Sequence, residues 1–329
     1  MQKMLIFGGA GSLGHEMIKR YINNYQIVIA SRDEAKHWDI INKFKHNNLT
    51  TVICDVRDEK RVQEVISQEK PENIIIAQAL KHVDVCEKFP QESIHTNILG
   101  VANILNSIKI LSLMNLYSPK LICFISTDKS CEPISVYGLC KSISEKLILN
   151  ISEHFENTDT RAIIVRYGNV LSSKGSIIPL LLNQATDPTK NKFTLTHVEM
   201  TRFIMTLSEA VSLIDTTIMH GKNGDLWVPK LKSMKILDLM KFFSKRFDKP
   251  YEIVGIRPGE KLHEIMISLE EAIVVDTYLG THTNDEYFIF NKKNKFSNKL
   301  SKEYSSSDYI LPYNELEKYL INYLDNVEE

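Results

Sequence analysis

A short apolar run, Met4 to Phe7, is followed at once by G-G-A-G-S-L-G and then by H-E-M-I-K-R-Y-I, whose apolar residues recur at helical spacing. Gly8, Gly11 and Gly14, with Ser12 and Leu13 between them, therefore fall at a strand-to-helix turn. Glycine there permits a tight turn and lets backbone and helix N-terminus approach a pyrophosphate, whose charge the helix dipole favours. A second strand, Q-I-V-I-A at 26 to 30, follows, as a dinucleotide-binding βαβ unit requires. The residue after that strand selects the dinucleotide. A carboxylate there would hold the ribose 2′-hydroxyl of NAD; this chain has Ser31 and Arg32, suited to a 2′-phosphate, so NADP is expected over NAD. Asp33 and Glu34 come next and read equally as the N-terminal residues of a helix.

The alternation continues. T-T-V-I-C-D (50 to 55) leads to a helix near 58 to 69, N-I-I-I-A-Q-A (73 to 79) to a helical stretch from Asn97 to Leu113, and K-L-I-C-F-I-S-T (120 to 127) to a helix from about 136. Continuously apolar strands separated by helices indicate an α/β fold with a doubly wound parallel sheet buried on both faces. Ligands bind at the carboxyl ends of such strands, so the glycine turn, Asp55, Ala77 to Lys81 and Ser126 to Lys129 are expected on one rim. The nucleotide-binding domain is assigned to 1 to 168, with R-A-I-I-V-R-Y-G-N-V as its sixth strand and returning segments near 200 to 230. T-R-F-I-M-T-L-S-E-A-V reads as helical. Residues 169 to 199 and 230 to 290 are expected to form a smaller substrate-binding lobe. Beyond 291, five lysines between 292 and 302 and a serine run at 305 to 307 read as a solvated, mobile loop before a last helix.

Composition excludes several classes. The chain has 329 residues, 43% of them hydrophobic, and a net charge of -1, enough for a large core and without the basic stripe or zinc spacing of a nucleic-acid binder. No metal site is expected. The five cysteines are scattered without a C-x-x-C, as suits reduced thiols of the cytoplasm. No apolar run reads as a membrane span, and the first strand leaves no room for a signal peptide, so a soluble cytoplasmic protein is expected.

The chemistry concentrates in S-T-D-K-S-C-E-P-I-S-V-Y-G-L-C-K, residues 126 to 141. Thr127, Asp128 and Lys129 supply a hydroxyl, a carboxylate and an amine in succession; Tyr137 and Lys141 are spaced to share one helix face. An ammonium close to a phenol favours the phenolate, so the Tyr137 pKa is expected to fall from about 10 toward working pH, making it a general base. A Tyr and a Lys four apart are also a common surface pair, and only the glycine turn at the other end of the chain gives them weight.

Taken in order, G-G-A-G-S-L-G, A-L-K-H-V, S-T-D-K-S with Y-G-L-C-K, R-Y-G-N-V, M-T-R-F, V-P-K and R-P-G-E-K-L-H-E resemble the extended short-chain dehydrogenases. Within them the sequence looks most like the inverting UDP-N-acetylglucosamine 4,6-dehydratases, including the type that starts pseudaminic acid synthesis, over roughly residues 3 to 268. The resemblance implies a Rossmann domain holding NADP through Gly8, Gly11, Ser12, Leu13, Gly14, Ser31, Arg32, Asp55, Val56, Ala77, Ala79 and Lys81, together with Tyr137 and Lys141. It implies that Tyr137 takes the sugar C4 hydroxyl proton, that Asp128 protonates the departing C6 hydroxyl and that Lys129 is the C5 base, with Thr127 beside them. Retaining dehydratases carry Asp-Glu where this chain has Asp128-Lys129. Lys81, Asn169, Lys174, Arg202, Arg257 and Glu260 are implied around the UDP-sugar, and a homo-oligomer through the helices flanking the sheet. The sequence departs from the family pattern at S-S-K-G (172 to 175), His197 and Gln78. A UDP-sugar 4-epimerase or retaining dehydratase shares Tyr137 and Lys141, and an NADP-sensing scaffold is the non-enzyme alternative.

Overall fold

The computed structural model describes residues 1–171, 175–280, 285–291, 293 and 300–325. Its first half alternates strands and helices: β1 (Gln2–Phe7), α1 (Ser12–Tyr21), β2 (Tyr25–Ser31), α2 (Glu34–Phe44), β3 (Leu49–Ile53), α3 (Glu59–Glu69), β4 (Asn73–Ile76), α4 (Val83–Lys88) and α5 (Pro90–Ile94). A π-helical turn at His95–Leu99 runs on into α6 (Gly100–Leu113), followed by β5 (Leu121–Ile125), α7 (Val136–His154) and β6 (Arg161–Val165). The rest comprises β7 (Asn169–Val170), α8 (Ile177–Thr186), β8 (Phe193–Leu195), β9 (Thr201–Met205), α9 (Leu207–His220), β10 (Leu226–Pro229), β11 (Ser233–Lys235), α10 (Ile236–Phe247) and β12 (Tyr251–Ile253). It closes with β13 (Ile265–Ile267), α11 (Leu269–Ala272), β14 (Val275–Leu279), β15 (Glu286–Phe290), β16 (Tyr304–Ser305) and α12 (Tyr313–Asp325).

The main sheet has the order β14-β15-β10-β6-β5-β4-β1-β2-β3, parallel from β10 to β3, with β15 and β14 added antiparallel. Strand residues alternate between two cores. Leu5, Phe7, Ile74, Ile76, Ile122 and Phe124 pack with α3, α6 and α7, whereas Met4, Ile6, Ile75 and Cys123 pack with α1, α2 and α9. Burial on both faces explains why these strands read as unbroken apolar runs, and each fully buried Leu, Ile or Phe contributes roughly 1.5–3 kcal/mol. Chain order reverses beside β1, flanked by β4 and β2, and the crevice at the carboxyl ends opens there.

Four expectations are corrected. T-R-F-I-M is the strand β9, not helix; all five residues are buried, polar Thr201 and Arg202 included, and a run this short carries no period that separates the two. Two strands assigned to the lobe extend the main sheet: Glu286–Phe290 pairs with β10, and Val275–Leu279 pairs with Glu286–Phe290. The serine run is only partly solvated: Ser307 is exposed, but Ser305 and Ser306 are buried, and β16 pairs with β13. The helical run Pro90–Leu113 is long and apolar enough by composition to cross a bilayer; here Val101, Ile104, Leu105, Ile108 and Leu111 face the core. The remaining lobe has its own core, in which Leu181, Phe193, Met240, Phe243 and, from α12, Leu316 and Leu320 meet.

Candidate active site

At the carboxyl ends of the strands lies a cleft of about 970 Å³. It is lined by Gly8, Gly11, Ser12, Leu13, Ser31, Arg32, Asp55, Val56, Ala77, Ala79, Lys81, Thr127, Asp128, Lys129, Tyr137, Lys141 and Asn169. Residues far apart in sequence meet because the parallel topology brings every strand end to one edge. Gly8 has a φ of +81°, and a Cβ there would lie 2.5 Å from the backbone of Gln78, so the turn after β1 can pass β4 only as glycine. Gly11 caps α1 without a side-chain bond, which presents the helix N-terminus to the cleft, and Gly14 is buried in the first turn. Both polar atoms of the Gln78 carboxamide are buried without a protein partner. These features fit a dinucleotide: an anion-binding helix end, and a buried amide awaiting a polar ligand.

At the end of β2, Ser31 Oγ meets His37 Nε2 at 2.7 Å, and Asp33 caps α2 by accepting from the Lys36 N–H at 3.1 Å. Asp33 is thus occupied as a helix cap, and no carboxylate directly follows the strand. Asp55 is held by the Arg57 guanidinium, which keeps its carboxyl below the usual range.

Helix α7 starts where Ser135 accepts from Gly138 N at 3.1 Å and Glu87 Oε1 accepts from Val136 N at 2.7 Å. A Cβ on Gly138 would sit 2.2 Å from the Lys129 carbonyl oxygen, so this glycine lets the Tyr137 turn press against the Thr127–Lys129 loop. Tyr137 and Lys141 are both buried, as the i, i+4 spacing predicts for one helix face. The expected electrostatics are not met. Burial, with the Asp128 charge behind it, pushes the Tyr137 phenol well above its ordinary value, and the Thr127 hydrogen bond pulls only partly back. Lys141 does not lower it because Nζ donates to the Ile125 carbonyl at 2.6 Å, over the Phe124 ring at 4.2 Å, and burial pushes the amine itself down to about 7.

Asp128 is 1% exposed; its Oδ1 accepts from Thr127 Oγ1 at 3.0 Å and from Lys129 Nζ at 3.1 Å, and its Oδ2 is buried with no partner. Burial pushes this carboxyl up despite Lys129, which suits a proton donor. Burial also works against the Lys129 ammonium, but Asp128 and Glu264 outweigh it and hold the amine above its ordinary value. The amine is therefore charged in this state.

The substrate residues divide. Asn169 lines the cleft, its Oδ1 buried without a partner. Lys174 lies outside the described residues. Arg202, Arg257 and Glu260, expected at the diphosphate, are not among the described lining residues. Arg202 is turned inward, donating to the carbonyls of Thr201, Lys261 and Leu262, and Arg257 pairs with Glu260 on an exposed loop. The sequence reading also missed Glu264, the last residue of R-P-G-E-K-L-H-E, and the buried cluster of Arg166 with Glu145 and Glu271. A charged residue directly after the apolar strand R-A-I-I-V was the available signal for Arg166.

Residues 4–283 match the polysaccharide biosynthesis protein family. The chain belongs to that family. Among its relatives, the inverting UDP-N-acetylglucosamine 4,6-dehydratase of Campylobacter jejuni serotype O:2 is 34% identical over 301 residues, 91% of this chain and 85% of its own. A UDP-glucose 4-epimerase of Rickettsia massiliae is 36% identical over 281 residues, 83% and 80% of the two chains. The X-ray structure of Pen from Bacillus thuringiensis matches over 98% of both chains with a TM-score of 0.86 and 26% identity. This family member is a nucleotide-sugar-modifying enzyme of the extended short-chain dehydrogenase fold, and its cleft is that of a dinucleotide.

Proposed function

We propose that this chain is an NADP-dependent, C5-inverting UDP-N-acetylglucosamine 4,6-dehydratase. The observation that carries the reading is the Asp128–Lys129 ion pair, held at 3.1 Å next to the Tyr137 turn. A dinucleotide held by the glycine turn after β1, Arg32 and Lys141 would supply a hydride acceptor for C4 and a hydride donor for C6, so no external reductant would be consumed. Tyr137 takes the C4 hydroxyl proton, and Lys141 fixes the helix face that carries it. The C4 ketone then acidifies the C5 proton. A proton shift from Lys129 Nζ to Asp128 Oδ1 produces a free amine and a carboxylic acid together. Lys129 takes the C5 proton, the C–H pair becomes the C5–C6 double bond, and the C6 hydroxyl leaves as water with the Asp128 proton. The elimination returns both groups to their starting charges; Lys129 then gives a solvent-exchanged proton to C5 as the hydride adds at C6, and is re-protonated from solvent as Tyr137 releases the C4 hydroxyl proton.

Incubation with UDP-N-acetylglucosamine in deuterated water, followed by proton NMR, is expected to give a C6 methyl group and an inverted, deuterated C5. The Rickettsia relative motivates a second reading as a 4-epimerase. That reading predicts inversion at C4 with no methyl group and no solvent deuterium, because an epimerase eliminates no hydroxyl. An untouched sugar sinks both.

NADP is supported by Arg32 in the cleft and by Asp33 being spent on its helix cap. Arg32→Ala is expected to weaken NADP binding roughly 10- to 100-fold and to leave NAD binding nearly unchanged, by calorimetry; an equal loss for both nucleotides speaks against a 2′-phosphate contact. Exposed Ile94, Leu99, Ile110, Leu139 and Ile143 on the α5–α7 side support a homo-oligomer. Five free, buried cysteines support a cytoplasmic setting.

A further inference from the structure

Lys129 has two anionic partners, and the nearer one lies outside the dehydratase pair. Glu264 Oε1 stands 2.7 Å from Nζ, against 3.1 Å for Asp128 Oδ1. Glu264 is 2% exposed, and its second oxygen is buried with no partner. A buried carboxylate costs several kcal/mol unless it is paired, so its place here needs a reason.

The surroundings hold Glu264 on every side. Its N–H donates to Ser306 Oγ at 2.9 Å, and its carbonyl accepts from Ser306 N at 2.8 Å. Ser306 Oγ in turn meets Thr201 Oγ1 at 2.7 Å, and Thr201 Oγ1 meets His263 Nδ1 at 2.8 Å. Arg202 Nε lies 3.6 Å from Glu264 Oε1. Ser306 belongs to the C-terminal segment, beyond the residues matched to the family.

We infer that Glu264 is the positioning residue of Lys129, fixing its amine in the cleft, and that the C-terminal segment through Ser306 is part of the active-site support. The significance for turnover rests on the dehydratase reading; the positioning itself does not. The charged groups facing Lys129 are Asp128 from the turn after β5, Glu264 from the segment before β13, and Arg202 from β9, with Lys261 acting on Glu264. Asp128 must exchange a proton with Lys129, so a separate group that keeps the amine in place while that proton moves is what the step needs. Glu264 has the reach and is clamped from behind.

The test has a part that needs no substrate. In holoenzyme carrying lysine labelled with carbon-13 at Cε, the Lys129 resonance, assigned by its loss in Lys129→Met, is followed against pH. Glu264→Gln keeps an oxygen acceptor but loses the charge, and is expected to move the Lys129 titration to lower pH by about one unit or more. Glu264→Asp keeps the charge and is expected to restore most of that shift. With UDP-N-acetylglucosamine, Glu264→Gln is expected to lower the kcat for C6-methyl formation about 10²-fold with KM within a few-fold. An unmoved titration overturns the inference whatever the enzyme's substrate proves to be, and a moved titration with unchanged kcat overturns the role in positioning. Should Glu264→Gln fail to fold, Ser306→Ala is read in the same two assays. Smaller changes in the same direction support the inference, and wild-type values in both overturn it. Failure of wild-type protein to act on the sugar is a separate result and sinks only the dehydratase reading.

Discussion

Tyr137→Phe is expected to lower turnover by about 10³-fold while cofactor affinity stays within a few-fold of wild type. The substitution removes one oxygen from a side chain that is 8% exposed, so the packing of α7 against the Thr127–Lys129 loop is kept. On the proposed dehydratase reading, what is lost is the group that exchanges a proton with the C4 hydroxyl, without which no ketone forms and the C5 proton stays unreactive. Because burial and Asp128 push the phenol well above its ordinary value, Tyr137 is protonated in the free protein, and the proposed role as a base requires positive charge to join it in the cleft. The pH dependence of wild-type turnover should therefore show no limb at the free-protein phenol. Rapid-mixing absorbance of the reduced nucleotide, compared for both proteins, checks the step directly: a variant within about tenfold of wild type removes Tyr137 from the chemistry.

Arg166→Met is expected to destabilise the fold by about 3–5 kcal/mol at neutral pH. Arg166 is 2% exposed and reaches Glu145 Oε2 at 2.7 Å and Glu271 Oε2 at 2.8 Å, and it also donates to the Met266 carbonyl at 2.8 Å. Met fills a similar volume but leaves two carboxylates in the interior with no cation. Glu145 also accepts from Ser126 and Ser130, so the cluster ties β5, α7 and β6 to the segment 266 to 271 and braces the loop that bears Asp128 and Lys129. The sign with pH follows from Glu271. Burial raises its pKa, Arg166 more than reverses this, and the net lowering stabilises the wild type at and above the ordinary glutamate range; that contribution is lost as pH falls below that range through the lowered folded value. In the variant the orphaned carboxylates are relieved by protonation, so the gap between the two proteins should narrow in acid. Thermal and denaturant unfolding across this range measure it, and a gap that is absent at neutral pH, or that widens in acid, contradicts the assignment.

The sequence by itself determined the βαβ order, because apolar strands buried on both faces and glycines at a strand-to-helix turn leave few other folds open, and it located Thr127, Asp128, Lys129, Tyr137 and Lys141, because their chemistry is local to one loop and one helical turn. The family resemblance reached the same cleft. Tertiary structure decided what local pattern cannot carry. T-R-F-I-M is a strand because Ser233–Lys235 pairs with it, Glu286–Phe290 joins the main sheet because β10 offers an edge, and Ser306 can be buried because Glu264 and Thr201 satisfy it. The charge states also changed. Lys141 was expected to lower the Tyr137 pKa, but in a buried site desolvation acts on both groups at once. The Lys129 amine is held above its ordinary value by Asp128, its chain neighbour, and by Glu264, which lies 135 residues further along the chain and is folded to within 2.7 Å of it. Spacing along the chain fixes which groups share a turn, whereas a pKa depends on every charge within a few ångströms and on the water excluded around it, and only the folded chain sets those.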